Sequence, residues 1–420
     1  MKENVKSVIV LTAICLVVAA LLAVTNFYTA PIIEANKANA ANESLTVVMP
    51  DAAGFEEIEL PADAPATVQH IYKETSGLGY VALLSTTSQY SSGDMGITMG
   101  VGADGKICGV SLTSYFESKD FGQDTYPQTY VGQDSALGGV DTVAGVTYSS
   151  TAFKDAITDA FTVLLQVGDI QAGEKSEEQL IAEVMPLALP GCTDSLGNCL
   201  VTECDVPAEA TAAYKANNGC GYVVLMPSDN GTVVCGINAF GKACAYNLDG
   251  SECTDSALLS TVEGMFAPLA SESDEANITS LSKFYPAEEG NEITAIEGLG
   301  GFDCLTGAYT IVNGDETLYA FLSQPYGFGN TPLKLVMVLN ENGEIVVYRS
   351  IGEIVLEAEY FGANPIASES DYKAQFTGKT ASTFVPDDVL VAGATFTTAG
   401  SAKAATNAFE AFSKLVKEAA

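Results

Sequence analysis

The feature that most constrains this chain is a glycine turn that occurs twice, each time before an apolar run with helical spacing. The copies are Val-Ala-Gly-Val-Thr-Tyr-Ser-Ser at residues 143–150 and Val-Ala-Gly-Ala-Thr-Phe-Thr-Thr at residues 391–398. Glycine permits a tight or positive-φ turn, and a helix beginning just after it directs free N–H groups towards the threonine. One copy alone is typical of a capped helix. Two copies in matching contexts favour a site that holds a phosphate.

Composition limits the partners and the chemistry. The 420 residues contain 53 Asp and Glu but only 18 Lys and Arg, a formal net charge of −35. This balance argues against nucleic acid and anionic membrane surfaces as partners, because both attract positive charge. The single histidine, His70, leaves no multi-histidine metal site, and we interpret it as structural. We expect no catalytic residues and no metal ligands.

The ten cysteines lack the Cys-x-x-Cys spacing of zinc, haem c and thioredoxin-like sites. Seven of them lie between residues 192 and 253. The sequence leaves open whether these form disulfides, as they would outside the cytoplasm, or remain free thiols.

The N-terminal region has the pattern of a membrane anchor. Lys2 and Lys6 precede an uncharged run at residues 7–24, which is long enough to span a bilayer as one helix. The positive end stays inside, which places the bulk of the chain outside the cytoplasm. A cleaved signal peptide is the alternative, but the nearest small-x-small site, at residues 38–40, lies well past the run. We expect an uncleaved, single-pass anchor in the cell membrane.

Four segments are predicted: an anchor and juxtamembrane segment at 1–43, and folded units at 44–170, 171–283 and 284–420. Hairpin signatures occur in the first unit, around residues 102–105.

The middle unit repeats the beginning of the first. Gly-Cys-Gly-Tyr at residues 219–222 echoes Gly-Leu-Gly-Tyr at 77–80, and Val-Met-Pro at 184–186 echoes Val-Met-Pro at 48–50. The unit then ends near Pro268 without a Gly-small-Thr turn. A duplication that lost its site is the preferred interpretation, and chance similarity of glycine-rich β sequence is the alternative.

The combined pattern resembles the FMN-binding domain of the Rnf complex G subunit and the Nqr complex C subunit. The similarity rests on the Gly-Ala-Thr turn with its following hydroxyl, on a preceding hairpin and Glu…Phe-Gly loop, and on the N-terminal span before Val-Met-Pro. It implies an α+β fold in which a single N-terminal transmembrane helix precedes repeated FMN-binding domains. Each domain would have an antiparallel hairpin sheet and a helix after the flavin-attachment turn, and the middle repeat would be degenerate.

In that family a flavin transferase, using Mg²⁺ and FAD, attaches FMN to the motif threonine through a phosphoester bond. The resemblance therefore implies two covalent FMN groups, on Thr147 and Thr395. It assigns the other cofactor-binding positions to the turns and to the Glu…Phe-Gly loops. These positions are Gly145, Gly393, Ala394, Asp141, Ser149, Thr397, Thr398, Glu117, Phe121, Gly122, Glu357, Phe361 and Gly362.

The function implied is that of a membrane flavoprotein and electron-transport subunit. Flavin supplies one- and two-electron chemistry, and the protein positions and tunes it. The leading hypothesis is a G-type subunit of an Rnf-like, ion-translocating oxidoreductase, partnered by other membrane redox subunits. The alternatives are a stand-alone cell-surface flavin carrier that serves an extracellular acceptor or a reductase, and a non-redox surface-binding module with decayed flavin sites.

Overall fold

The computed structural model describes most of the chain after the N-terminal region and divides it into two compact units, residues 1–175 and 176–420. The residues it describes are 44–88, 91–229, 231–286, 289–351, 369–391 and 394–418. The described residues form three five-stranded antiparallel sheets, in each of which consecutive strands are neighbours.

The first unit is a sheet between two helices. Its strands are β1 (Phe55–Ile58), β2 (Val68–Glu74), β3 (Gly79–Thr86), β4 (Met95–Gly102) and β5 (Ile107–Ser114). Helix α1, at residues 44–48, covers one face, where Leu45 and Val48 pack with Val81. Helix α2 (Thr147–Val167) covers the other and buries an apolar stripe at helical spacing.

The second unit contains the other two sheets. The strands of the middle sheet are β6 (Val201–Glu203), β7 (Ala212–Ala216), β8 (Gly221–Ser228), β9 (Gly231–Asn238) and β10 (Ala243–Asn247). Those of the last sheet are β11 (Glu292–Ala295), β12 (Leu305–Asn313), β13 (Glu316–Ser323), β14 (Leu335–Leu339) and β15 (Ile345–Ser350). The helices are α3 (Glu177–Ala188), α4 (Ser256–Glu263), α5 (Leu269–Leu281), α6 (Glu369–Ala374) and α7 (Thr395–Glu418).

One hydrophobic core joins both sheets of the second unit. Val224 of the middle sheet, Phe321 and Met337 of the last sheet, and Ala405 of α7 belong to the same buried cluster. The two sheets therefore stabilise one another by removing a common apolar surface from water. The domain boundary predicted near residue 283 stays a prediction.

The second glycine of each Gly-x-Gly-Tyr repeat lies where two strand backbones approach closely, in both the first and the middle sheet. A Cβ on Gly79 would lie 2.0 Å from the carbonyl oxygen of Val101, and a Cβ on Gly221 would lie 2.0 Å from that of Ile237. Both glycines also have positive φ, +148° and +154°. Only glycine permits this approach of two backbones.

The middle repeat aligns one helical turn later than the sequence pattern indicated. The thiol of Cys108 donates to the carbonyl of Val48, and the thiol of Cys244 donates to that of Ala188. Residues 188–190, Ala-Leu-Pro, thus take the place of Val-Met-Pro at 48–50, and residues 184–186 lie earlier, within and near the end of α3. Apolar residues four apart share a helix face, so the pattern alone allowed either register.

The predicted fold class needs correction. The described chain has three five-stranded antiparallel sheets, including a complete middle one, whereas we expected hairpin-based antiparallel sheets and a degenerate middle repeat. Hairpin signals detect tight turns such as residues 102–105 and miss longer connections such as residues 59–67. Among the helices of the described ranges, none is long and apolar enough to cross a membrane. The predicted single N-terminal transmembrane helix is therefore not supported by the described structure, and the span at residues 7–24 lies outside the described residues.

The structure shows which cysteines of the described chain form a disulfide and which are free thiols. Cys192 and Cys199 form a disulfide, while the other cysteines in the described chain are free thiols. Burial raises the pKa of Cys235 and of Cys304 to about 12. These two thiols therefore stay protonated and unreactive near neutral pH.

A buried carboxylate organises the turn between β2 and β3. Glu74 is 1% exposed and accepts hydrogen bonds from the backbone N–H groups of Ala53, Ser76 and Leu78 and from the Ser76 hydroxyl. Burial by itself would raise the pKa of Glu74, but these hydrogen bonds outweigh it and lower the pKa to about 2.

Because the folded pKa lies below the ordinary value of 4.5, Glu74 stabilises the fold above about pH 4.5, and this contribution is lost as the pH falls towards about 2. We expect Glu74→Gln to lower the melting temperature of the first unit at pH 7 and to flatten its decline between pH 5 and pH 3. Calorimetry measures both effects. The exposed Glu56→Gln is the control, and an unchanged pH dependence in Glu74→Gln would contradict the assignment.

Gly79 and Gly77 provide a matched test of the close backbone approach. Both have positive φ, but a Cβ on Gly77 would meet nothing within 4 Å. We expect Gly79→Ala to lower the free energy of local unfolding by roughly 1–3 kcal/mol more than Gly77→Ala. Native-state hydrogen exchange of the β3 amides measures this difference. Equal losses would mean that backbone conformation alone selects glycine here.

Candidate functional site

The first glycine turn lies at the N-terminus of α2. Gly145 has φ of +83°, and Thr147 is the first residue of the helix. The N-cap residue, Val146, provides no side-chain cap to the first turn of the helix. Thr147 is partly exposed, and its hydroxyl bonds to no residue of the described chain.

A buried hydroxyl holds this turn together. Ser150 is fully buried, and its Oγ accepts the N–H of Val143 at 2.9 Å. The same hydroxyl lies 3.1 Å from each of the carbonyl oxygens of Val146 and Thr147, to which it donates. Ser150 thus connects the segment before the glycine to the first turn of the helix. We call this arrangement the hydroxyl bridge.

The second turn has the same hydroxyl bridge. Thr398 is fully buried, accepts the N–H of Val391 at 3.2 Å, and donates towards the carbonyls of Ala394 and Thr395 at 2.8 and 3.3 Å. Thr395 begins α7 and is exposed, while Ala394 and Thr397 are buried. The two turns therefore share a hydrogen-bond pattern as well as a sequence pattern.

Glu117 joins a distant loop to the first turn. Its Oε2 accepts hydrogen bonds from the hydroxyl of Ser149 at 2.7 Å and from that of Ser88. Its Oε1 is also buried but has no hydrogen-bond partner among the described residues. A buried acceptor without a donor is costly, so this atom is a candidate acceptor for a ligand beside the start of α2.

Phe121 supports the site from the core. It makes edge-to-face contacts with Tyr115 and Tyr126, with ring centroids 5.1 Å apart in each pair. Gly122 follows with φ of +86°, and its N–H is bound by Asp120. These contacts keep the Glu117 loop in place.

Asp141 lies at the surface just before the turn. It is exposed, and the preceding carbonyl, that of Val140, accepts a hydrogen bond of 2.7 Å from Lys154 on α2. Lys154 therefore anchors the chain on its way into the turn.

The structure brings several predicted positions together. Glu117, Ser149, Gly145 and Thr147 surround the start of α2, and Ala394, Thr395, Thr397 and Thr398 surround the start of α7. Glu357, Phe361, Gly362 and Gly393 lie outside the described residues.

Sequence reasoning missed Ser88 and Ser150. Aligning the two turn copies pairs Ser150 with Thr398, so Ser150 was detectable. Ser88 lies in the connection between β3 and β4 without any motif, and only the fold places it at Glu117.

The middle sheet lacks a comparable site in its described residues. Strands β8 and β9 pair as far as Ser228 and Gly231, and the helix after β10 is α4. Asp255 caps α4, because its carboxylate accepts the N–H groups of Ala257 and Leu258 at 2.9 and 3.3 Å. A carboxylate already occupies the position where a phosphate would bind, so this helix start is closed to anions.

Comparisons with known proteins identify two regions. Residues 91–162 match the FMN-binding domain family, and residues 1–48 match the RnfG N-terminal region. The first match covers Glu117, the turn at 143–150 and most of α2, whereas the turn at 391–398 lies outside both. No curated protein gave a significant match.

Proposed function

We propose, from the FMN-binding domain of the RnfG and NqrC type that this chain contains, that it is an electron-transfer subunit of an Rnf-type, ion-translocating complex. In this proposal Thr147 and Thr395 each hold FMN through a phosphoester bond, made by a flavin transferase. The folded units lie outside the cytoplasm, and the other redox subunits of the complex are the partners.

The start of α2 carries this proposal. An available threonine hydroxyl, an uncapped helix N-terminus and a glycine turn coincide at Thr147. A phosphate on this hydroxyl would lie at the positive end of the helix dipole, which favours its negative charge. This favourable interaction offsets the repulsion between a phosphate and a chain whose net charge is −35.

Glu117 fits the flavin part of the same ligand. Its buried Oε1 can accept a hydrogen bond from a donor on FMN, while Ser149 and Ser88 hold its other oxygen. FMN supplies electron transfer when bound, and the chain holds and tunes it.

The second attachment is proposed from structural likeness. Thr395 occupies the first position of α7, as Thr147 does in α2, and the hydroxyl bridge of Thr398 matches that of Ser150.

A location outside the cytoplasm is supported by the Cys192–Cys199 disulfide, since such bonds persist in oxidising compartments. A covalent bond also prevents loss of a dissociable cofactor by dilution there.

Attachment is tested by mass spectrometry. The full chain, incubated with flavin transferase, FAD and Mg²⁺, should gain two FMN groups. Thr147→Ala and Thr395→Ala should each gain one, and the double variant none, because the accepting hydroxyls are removed. Thr142→Ala, which changes an exposed threonine near the first turn, should still gain two. A wild-type chain that stays unmodified by an active transferase would favour the non-redox alternative.

The charge of Glu117 should tune the bound flavin. We expect Glu117→Gln, in a chain with only the Thr147 site, to raise the flavin midpoint potential, because removing a nearby negative charge favours the electron-rich reduced state. Spectroelectrochemistry measures the potential, and Glu56→Gln, on exposed β1, is the control. An unshifted potential would place Glu117 away from the flavin.

Complex membership is tested separately. The tagged chain should co-purify with membrane-embedded and iron–sulfur redox subunits from its native host. Flavin-loaded chain that purifies without them would favour a stand-alone carrier.

A further inference from the structure

We propose that Ser150 and Thr398 are positioning residues for flavin attachment. Their buried hydroxyls hold each turn in the one conformation that presents Thr147 or Thr395 to the transferase. The inference rests on the proposed function, but it assigns a role to two residues that do not themselves receive the flavin.

In each turn the hydroxyl bridge connects the segment before the glycine to the first turn of the helix. A hydroxyl has one proton and can also accept, so Ser150 can bind the Val143 N–H and one helix carbonyl at the same time. Ser150 and Thr398 are both fully buried, so water does not reach the side chain to replace them.

The exposed part of the first turn makes few contacts of its own, while Val143 and Val146 beside it pack against the core. Ala144 and Gly145 are exposed, and a Cβ on Gly145 would meet nothing within 4 Å. The backbone contributes a bond from the Val146 N–H to the Val143 carbonyl, 3.1 Å long. The bridge is the side-chain hydrogen bonding that connects the segment before Gly145 to the first turn of α2.

Comparing the two turns shows that the hydroxyl, and not the rest of the side chain, makes the hydroxyl bridge. Serine and threonine differ by a methyl group, yet the partners are equivalent: Val143 and Val391 donate, and the carbonyls three and four residues earlier accept. The shared element is the hydroxyl alone. In the middle sheet, helix α4 starts with the Asp255 cap instead.

Positioning should affect the transferase reaction in a particular way. Attachment requires the threonine hydroxyl in a defined place. Without the bridge, only a fraction of the chains holds the competent turn, which weakens apparent binding by that fraction. The KM for the protein substrate should therefore rise, while kcat stays nearly constant.

The experiment uses the full chain with Thr395→Ala, so that only Thr147 is modified. Mass spectrometry follows FMN addition at limiting transferase, and calorimetry monitors folding. We expect Ser150→Ala to lower kcat/KM roughly tenfold, which is the size of effect expected when the buried hydrogen bonds of one hydroxyl are lost. Ser150→Thr should react at nearly the wild-type rate, because Thr398 makes the same bridge.

Thr158→Ala is the matched control. Thr158 is exposed on α2 and donates to the carbonyl of Lys154 four residues earlier, as Ser150 does to that of Val146, but it lies far from the turn. It should leave the attachment rate unchanged.

The second site provides an independent arm if Ser150→Ala unfolds the first unit. In a Thr147→Ala chain, Thr398→Val keeps the side-chain shape but removes the hydroxyl, and it should slow addition at Thr395, whereas Thr398→Ser should not. Folded variants without the hydroxyl that react at the parent rate would overturn the inference. A parent chain that gains no FMN would instead reject the proposed function.

Discussion

The packing of α2 across the first sheet is the interaction on which the site depends. Phe153, Ile157 and Phe161 are at most 2% exposed and face the apolar side of the strands. Each contributes roughly 1.5–3 kcal/mol by burial, which is large beside the net stability of a domain. Because Thr147 begins this helix, the same contacts determine where its hydroxyl lies. Glu117, Phe121 and Ser150 then adjust a position that the core has already set.

The middle sheet resembles the first sheet in its strands but is followed by a helix that begins differently. It keeps the close backbone approach at Gly221, and its thiol contact at Cys244 matches that of Cys108. Its following helix, however, is short and is capped by Asp255. Sheet and site are thus separable: the sheet needs glycines and apolar faces, whereas the site needs an open helix start. The middle sheet instead shares a core with the last one.

The local parts of the site were predictable. Gly145 forms the turn before α2, Thr147 begins α2, and Thr395 begins α7. Gly105 turns the β4–β5 hairpin with φ of +77°. These features depend on neighbours a few residues away, which the sequence displays directly. The predicted transmembrane anchor lies outside the described residues, whereas the alignment of the middle repeat was wrong by one helical turn. The alignment error came from four-residue periodicity, which does not report tertiary contacts.

By itself the sequence determined the turns, the threonines at the helix starts and the family resemblance, because each depends on local backbone geometry and short motifs. Only the tertiary structure decided that Glu117 meets Ser149, 32 residues along the chain, and that Ser88 reaches the same carboxylate. It also decided which helix starts are open and that two sheets share one core. Such contacts follow from strand register and helix packing, which bring distant segments together without leaving a short-range pattern in the sequence.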